Sequence, residues 1–235
     1  WCTFADAADF IFLLARTQAE VDPKRKHVGI SAFIIDKQRG SFPPGIAGSS
    51  IPKIGYYGWK TWELAFDGFR LPASALIGQE GQAFAAFSRG LETYRAHTAA
   101  RSIGLARGAL EDATKYALER VQFDQPIANF QAIRFKLAQM ATEIEAARQL
   151  NYHVCTQIDQ GQRCDTEAAM TKLFASEMSE RVCSEAMQIL GGAGYTTHYA
   201  VERYWRDARL TKIFEGTSEI QLKIISDRIL GRPVG

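Results

Sequence analysis

With 235 residues the chain is long enough for one large domain or two small ones. Hydrophobic residues at 46% and charged residues at 23% exclude a disordered chain. A formal net charge of +2, with no block of like charges, gives no field to gather nucleic acid. The longest apolar runs, such as "DFIFLLA" at 9–15, are too short to span a bilayer.

The first residue is Trp1, and no signal or transit pattern follows, so the chain is expected to be part of a longer protein. Up to about residue 80 the sequence reads as strands and turns. The runs 8–17, 28–37 and 61–72 carry β-branched and aromatic residues, separated by turn formers at 36–50 and 55–58. The basic stretch 22–27 reads as a solvated hairpin tip. From about residue 82 the apolar period changes to three and four. Ile133, Leu137, Met140, Ile144 and Ala147 line one face of a helix, and Phe174, Met178, Val182, Ala186 and Ile189 line one face of another. Asp165 and Thr166 are candidate caps for the second helix, with Glu167 near its positive end. Gly191 and Gly192 follow Leu190 where a helix stop is expected. Long helices with short links imply a bundle. The expected fold class is α+β, with a small antiparallel β-domain over 1–80 and a four-helix-bundle-like domain over 81–235.

Familiar catalytic patterns are absent: no G-x-G-x-x-G after a strand, no Walker loop, no H-E-x-x-H and no G-x-S-x-G. The four histidines are widely spaced. Cys2, Cys155, Cys164 and Cys183 form no C-x-x-C pair, so neither a metal site nor a disulfide framework is expected, and a reducing compartment suits the pattern. Reactivity is therefore sought in a bound organic cofactor or a lone carboxylate. Glu215 is the candidate carboxylate, and it has two readings. Ser218 and Gln221 fit a capping box, and an acidic residue just upstream favours that helix end electrostatically. Alternatively, Ile213 and Phe214 give Glu215 an apolar flank while Gly216 admits a ligand to the backbone, which is how a carboxylate general base is prepared.

Six segments, in order along the whole chain, bear on this choice: "WCT" at 1–3, "FDGFRLPASALIGQEGQAF" at 66–84, the run 119–148, "QILGGAGY" at 188–195, "VERYWRDARLTK" at 201–212 and "IFEGTSEIQ" at 213–221. Together they resemble the flavin-dependent acyl-CoA dehydrogenases. The resemblance implies an N-terminal helical domain, a central β-domain and a C-terminal four-helix bundle, of which this chain would supply most of the second and all of the third. It also implies FAD-dependent conversion of an acyl-CoA thioester to a trans-2-enoyl-CoA, with Glu215 as the general base and Gly216 touching the acyl-CoA. In some members the base comes from an earlier helix, at a position aligned with Tyr94, which cannot readily serve. Glu92 is displaced from that position and also reads as a surface carboxylate. Glu92, Thr93, Tyr94 and Arg95 would line the CoA side. Arg95 reads equally as a structural partner of a carboxylate on a facing helix.

For FAD, Trp1 and Thr3 resemble the W-x-T segment that flanks the isoalloxazine, although Trp1 also reads as a packed strand residue. Arg120, Phe123 and Gln131 match a pattern that reaches the FAD of a neighbouring subunit. Gln188, Gly191, Gly192, Thr217 and Glu219 match further FAD contacts. Three departures stand out: Asp124 where glycine is usual, Glu219 in place of a commoner glutamine, and the bulky "GYYGWKTWE" at 55–63. The implied partners are an acyl-CoA substrate, an electron-transfer flavoprotein and further copies in a homotetramer or dimer. Nucleic acid, metal and a membrane span are not expected. A bacterial cytoplasm or a mitochondrial matrix would suit this chemistry. Two rival readings remain: an acyl-CoA oxidase that uses oxygen, and a non-catalytic assembly subunit, against which the retained Glu215, Arg120 and Gly191–Gly192 argue. The fragment alone is expected to be inactive.

Overall fold

Period-two alternation at Phe10–Arg16 and Ile30–Asp36 becomes a pair of strands in the computed structural model, which describes residues 1–19, 25 and 27–231. The chain divides into two compact units, Trp1–Gly90 and Leu91–Gly235. The first holds β1 (Cys2–Thr3), β2 (Phe10–Arg16), β3 (Ile30–Asp36), β4 (Ile46–Ser50), β5 (Thr61–Phe66) and β6 (Leu76–Ile77). They form two antiparallel sheets, ordered β1-β5-β4 and β2-β3-β6. Ile11 and Ile35 from one sheet meet Ile46 and Leu64 from the other in a shared core, with Phe42 and Phe69 packed at its edge. Residues of alternate parity face away from that core: Phe10, Phe12 and Leu14 on β2, Ile34 on β3 and Ile77 on β6 are exposed within this unit. This sheet is therefore apolar on both faces. Of the expected hairpin tip at 22–27, only Arg25 and His27 are among the described residues, although β2 and β3 do pair on either side of it.

The helices are α1 (Ala83–Glu119), which begins in the first unit, then α2 (Gln131–Asp159), α3 (Asp165–Leu190), α4 (Val201–Thr211) and α5 (Ser218–Leu230). Between α1 and α2 lies a short hairpin of β7 (Val121–Gln122) and β8 (Gln125–Pro126). The whole is an α+β fold. Helix α3 packs on α2, α4 and α5. A five-residue link makes α2 and α3 antiparallel, and ion pairs rung them together: Lys136 with Glu185, and Arg181 with Glu143 at 3.0 Å. The expected faces meet in the core, where Met140, Ile144 and Ala147 lie against Met178, Val182, Ala186 and Ile189, with Ile133 and Leu137 at the margin. Phe174 is the exception. It is 37% exposed, and its neighbour Ala175 takes the core position instead. Helix α1 contributes Ala99, Ile103, Ala106, Ala109, Ala113 and Ala117 at steps of three and four, five of these six being alanine.

Helix ends differ from the sequence expectation in two places. Cys164, rather than Asp165 or Thr166, is the N-cap of α3, and it offers no side-chain cap. The cap comes from α1: the Glu92 carboxylate accepts the Cys164 N–H at 3.4 Å, while Asp165 and Glu167 sit in the first turn beside the positive helix end. At α5 the N-cap is Thr217, not Ser218, and its hydroxyl accepts the Ile220 N–H at 3.4 Å. Gln221 does not complete a capping box, because its side chain turns to the Gly216 carbonyl instead. The stop at Gly191 is as expected, with a left-handed φ of 59° that glycine adopts without strain.

Candidate active site

Glu215 lies in the link between α4 and α5. Ser218 N–H donates to the Lys212 carbonyl at 3.0 Å and closes the link into a tight loop. Within it Glu215 has φ 55° and Gly216 φ 91°. For glutamate the left-handed region costs about 1–2 kcal/mol, so something must hold the turn. Two buried donors converge on it. Lys172 Nζ donates to the Gly216 carbonyl at 2.7 Å and Gln221 Nε2 to the same oxygen at 2.9 Å. Both side chains are fully buried. A side chain at 216 would be strained by that φ and would press on the clamp itself, since a Cβ there would stand 2.7 Å from Gln221 Nε2, which would have to shift. The Glu215 side chain itself is exposed. Its apolar flank is partial: Ile213 is exposed, while Phe214 lies under the Arg101 guanidinium, 5.1 Å from the ring centre.

Charge is organised on both sides of this loop. Lys212 Nζ bridges Glu177 at 2.7 Å and Glu180 at 2.8 Å, which raises its affinity for the proton, and Ser218 Oγ donates to Glu177 at 2.8 Å. Burial pushes Lys172 down to about 8 against the opposing pull of Glu177, Glu215 and Glu219. Glu219, at the start of α5, is held below the usual carboxylate range by its own backbone N–H and by the Thr217 hydroxyl. Sequence reasoning missed Lys172. Its signal was there to read: a lysine four residues after Ala168 and three before Ala175, inside the buried stripe of α3.

The segment 92–95 divides by helix face, residues three apart sharing one side. Thr93 and Tyr94 are exposed, while Glu92 and Arg95 are buried. Glu92 is thus not a surface carboxylate. It pairs with Arg163 Nε at 2.7 Å and accepts from Cys164, whose thiol is pushed up to about 11 by burial and by that carboxylate. Arg95 pairs with Asp165 at the start of α3, the facing-helix arrangement weighed from sequence.

The remaining helical-unit candidates gather at the other end of the α2–α3 pair. Since Lys136 meets Glu185, the N-terminus of α2 with Gln131 lies level with Gln188, Gly191 and Gly192 at the C-terminus of α3. All four are exposed. A Cβ on Gly191 or Gly192 would find no atom within 4 Å, so their backbone faces open space. Just before α2, Phe123 and Asp124 form the two-residue turn of the β7–β8 hairpin, with φ 54° and 66°. This turn leaves Phe123 86% exposed, its ring edge-on to Phe130 at 6.1 Å, and Arg120, just before the hairpin, is exposed as well. Asp124 tolerates the left-handed conformation that glycine would otherwise provide.

In the β unit, Cys2 pairs with Trp62 and turns inward, which leaves Thr3 exposed and Trp1 at 92% exposure rather than packed in the sheet. Phe4 follows with φ 60°, its ring 5.4 Å from Trp59, which lies 5.8 Å from Tyr56. The bulky 55–63 segment thus builds an aromatic cluster with Phe4, the residue after Thr3. Among the described residues no helix is long and apolar enough to cross a membrane, and no group of three or more His, Cys, Asp or Glu could hold a metal ion.

Residues 81–230 match the family described as acyl-CoA dehydrogenase, C-terminal domain. The chain is 43% identical over 236 residues to (2S)-methylsuccinyl-CoA dehydrogenase of Cereibacter sphaeroides, covering 98% of this chain and 42% of that protein. Its fold is similar to the solved structure of butyryl-CoA dehydrogenase from Megasphaera elsdenii, with a TM-score of 0.90 at 39% identity over 97% of this chain and 58% of that one. A chain in the solved electron transferring flavoprotein of Acidaminococcus fermentans gives a TM-score of 0.90 at 38% identity, over 98% of this chain and 59% of that one. The chain spans between 42% and 59% of the length of the first curated relatives it matches.

Proposed function

From the premise that this chain belongs to the acyl-CoA dehydrogenase family, we propose that it carries the base and much of the flavin grip of an enzyme that desaturates an acyl-CoA thioester to a trans-2-enoyl-CoA. The observation that carries this reading is the left-handed Glu215 in a loop clamped by two buried donors. Such a turn fixes the direction in which the exposed Glu215 side chain leaves the backbone while the interior stays closed behind it. Glu215 takes the α-proton of the thioester, with Gly216 beside the acyl chain. Thr93 and Tyr94 face the CoA portion, and Glu92 and Arg95 keep their helix against the start of α3.

The residues present fit FAD. Exposed glycine backbone at 191–192, an exposed Arg120 and the exposed Phe123 at the hairpin turn suit a diphosphate and flat rings, since the guanidinium fork makes bidentate charge-assisted bonds. When bound, FAD supplies an acceptor for the hydride leaving the β-carbon. In the β unit, Trp1 and Thr3 would contact its ring system, with the Phe4–Trp59–Tyr56 cluster next to Thr3 in the chain. In the helical unit, Thr217 and Glu219 would add flavin contacts at the start of α5.

Arg120, Phe123, Gln131, Gln188, Gly191 and Gly192 serve the FAD of a neighbouring copy. Lys172, which touches the base loop, is 18 residues of α3 from Leu190, about 27 Å along the helix. This span favours a dimer or tetramer in which each cofactor is gripped by two chains. The electrons then pass to an electron-transfer flavoprotein, a partner class favoured by the likeness to the Acidaminococcus fermentans structure.

The test is an anaerobic acyl-CoA titration of the whole flavin-loaded protein, followed by flavin absorbance, beside Glu215→Gln. The parent is expected to bleach and the variant to stay yellow. Equal bleaching of both would remove Glu215 as the base. A parent without flavin would favour the assembly-subunit reading.

A further inference from the structure

We propose that Lys172 is a positioning residue for Glu215: its ammonium, donated to the Gly216 carbonyl, holds the turn from which the carboxylate works. The inference rests on Glu215 being the base. It goes further by naming a group on a different helix that decides whether the base is aimed.

Lys172 sits in the buried stripe of α3, with Ala168 a turn before it and Ala175 a turn after it, both fully buried. A lysine is an expensive choice there. An ammonium taken from water loses solvation that a single neutral carbonyl does not restore, and an apolar residue of the same volume would pack there without that cost. The charge is tolerated because carboxylates surround it: Glu177 on α3, Glu215 in the link and Glu219 on α5, against the like charge of Arg95 on α1. Its hydrogen bond does not go to a carboxylate, however. It goes at 2.7 Å to the carbonyl of Gly216, the residue that follows the strained Glu215. Gln221 reaches the same oxygen from α5. Two side chains from two helices therefore fix one peptide plane, whose orientation sets the backbone next to the carboxylate. A helix cap alone does not require this, since Thr217 already caps α5.

The experiment uses the whole flavin-loaded protein and a 3-thiaacyl-CoA, an analogue whose α-proton can be removed but which has no β-hydride to give. Deprotonation is read as growth of the long-wavelength charge-transfer absorbance against oxidised flavin. In Lys172→Met, a variant of similar length without the charge, flavin content and analogue affinity are expected to stay within about threefold of the parent. Its deprotonation rate is expected to fall by on the order of 10²-fold, the cost of a misaimed group about 1 Å away from its working position. Gln221→Met should fall by less, because the ammonium remains. A Lys172→Met protein that keeps its flavin and deprotonates within about twofold of the parent overturns the proposal, even if its thermal stability changes. Should Lys172→Met lose its flavin, Gln221→Met decides by the same two outcomes. If both lose it, these side chains serve the fold and not the base, and the proposal is overturned. Glu215→Gln, run alongside, separates the two readings: normal deprotonation there removes the base itself, whereas a silent Lys172→Met beside a dead Glu215→Gln removes only this inference.

Discussion

The two ends of α3 use opposite physics. Near its N-terminal end the important contacts point inward, where Lys172 is fully enclosed and spends its charge on a backbone carbonyl. At its C-terminal end they point outward, where Gly191 and Gly192 offer bare backbone to open space. The first end prepares a group by restraining it from behind. The second prepares a surface by leaving things off it. Substitutions should therefore part company: at the inner end they change how well the loop is aimed, and at the outer end they change what the surface can hold.

Glu215→Gln is the largest way to break the comparison. Loss of a positioned general base should slow flavin bleaching by about 10³-fold or more in rapid-mixing experiments. The urea midpoint should barely move, because the side chain is exposed.

Next comes the pH dependence of Lys172. Burial holds its proton at about 8 in the folded chain, against an ordinary value of 10.5. Between those two values the unfolded chain binds that proton more tightly, so the parent gains stability as pH rises through the window. Relative to Lys172→Met, the gain should approach about 3 kcal/mol, measured by urea unfolding at pH 7.5 and 10.5 (both approximate). No rise in that difference would mean that the ammonium is not enclosed as described.

A pair of neighbouring glycines sharpens the contrast at the outer end. At Gly194 a Cβ would stand 2.7 Å from the Met187 carbonyl, so Gly194→Ala should destabilise by about 1–3 kcal/mol in denaturant. Gly192 has open space instead, so Gly192→Val should shift stability by less than about 1 kcal/mol while lowering the flavin that copurifies. The smallest effect belongs to Arg120→Ala. It should leave the fold within about 0.5 kcal/mol and weaken flavin retention about tenfold, read by dialysis and absorbance.

The α2 and α3 faces were legible in the sequence because their apolar residues recur every three or four positions, and Met140, Ile144, Met178 and Val182 all reached the core. Phe174 shows the limit, since periodicity names a stripe but not which edge of it a small neighbour will claim. The cap at Cys164 was not legible at all, because its partner is Glu92, seventy-two residues away on another helix. Thr217 was one residue from the expected cap, the ordinary uncertainty of a helix boundary. Glu215 was singled out by its neighbours, but they left it between a helix cap and a base until the six-segment resemblance was weighed. Lys172 was passed over although it stands in register with the buried stripe of α3, because a lone lysine in a helix is read as surface by default.

The alanine face of α1 has a consequence for how this sequence can drift. Ala99, Ala106, Ala109, Ala113 and Ala117 are each completely enclosed. Growth at any of them has no room to enter, and loss of the methyl to glycine gives up about 1 kcal/mol of helix preference. Both directions of change are closed, so divergent copies should differ freely on the outer face of α1 while this inner row stays fixed.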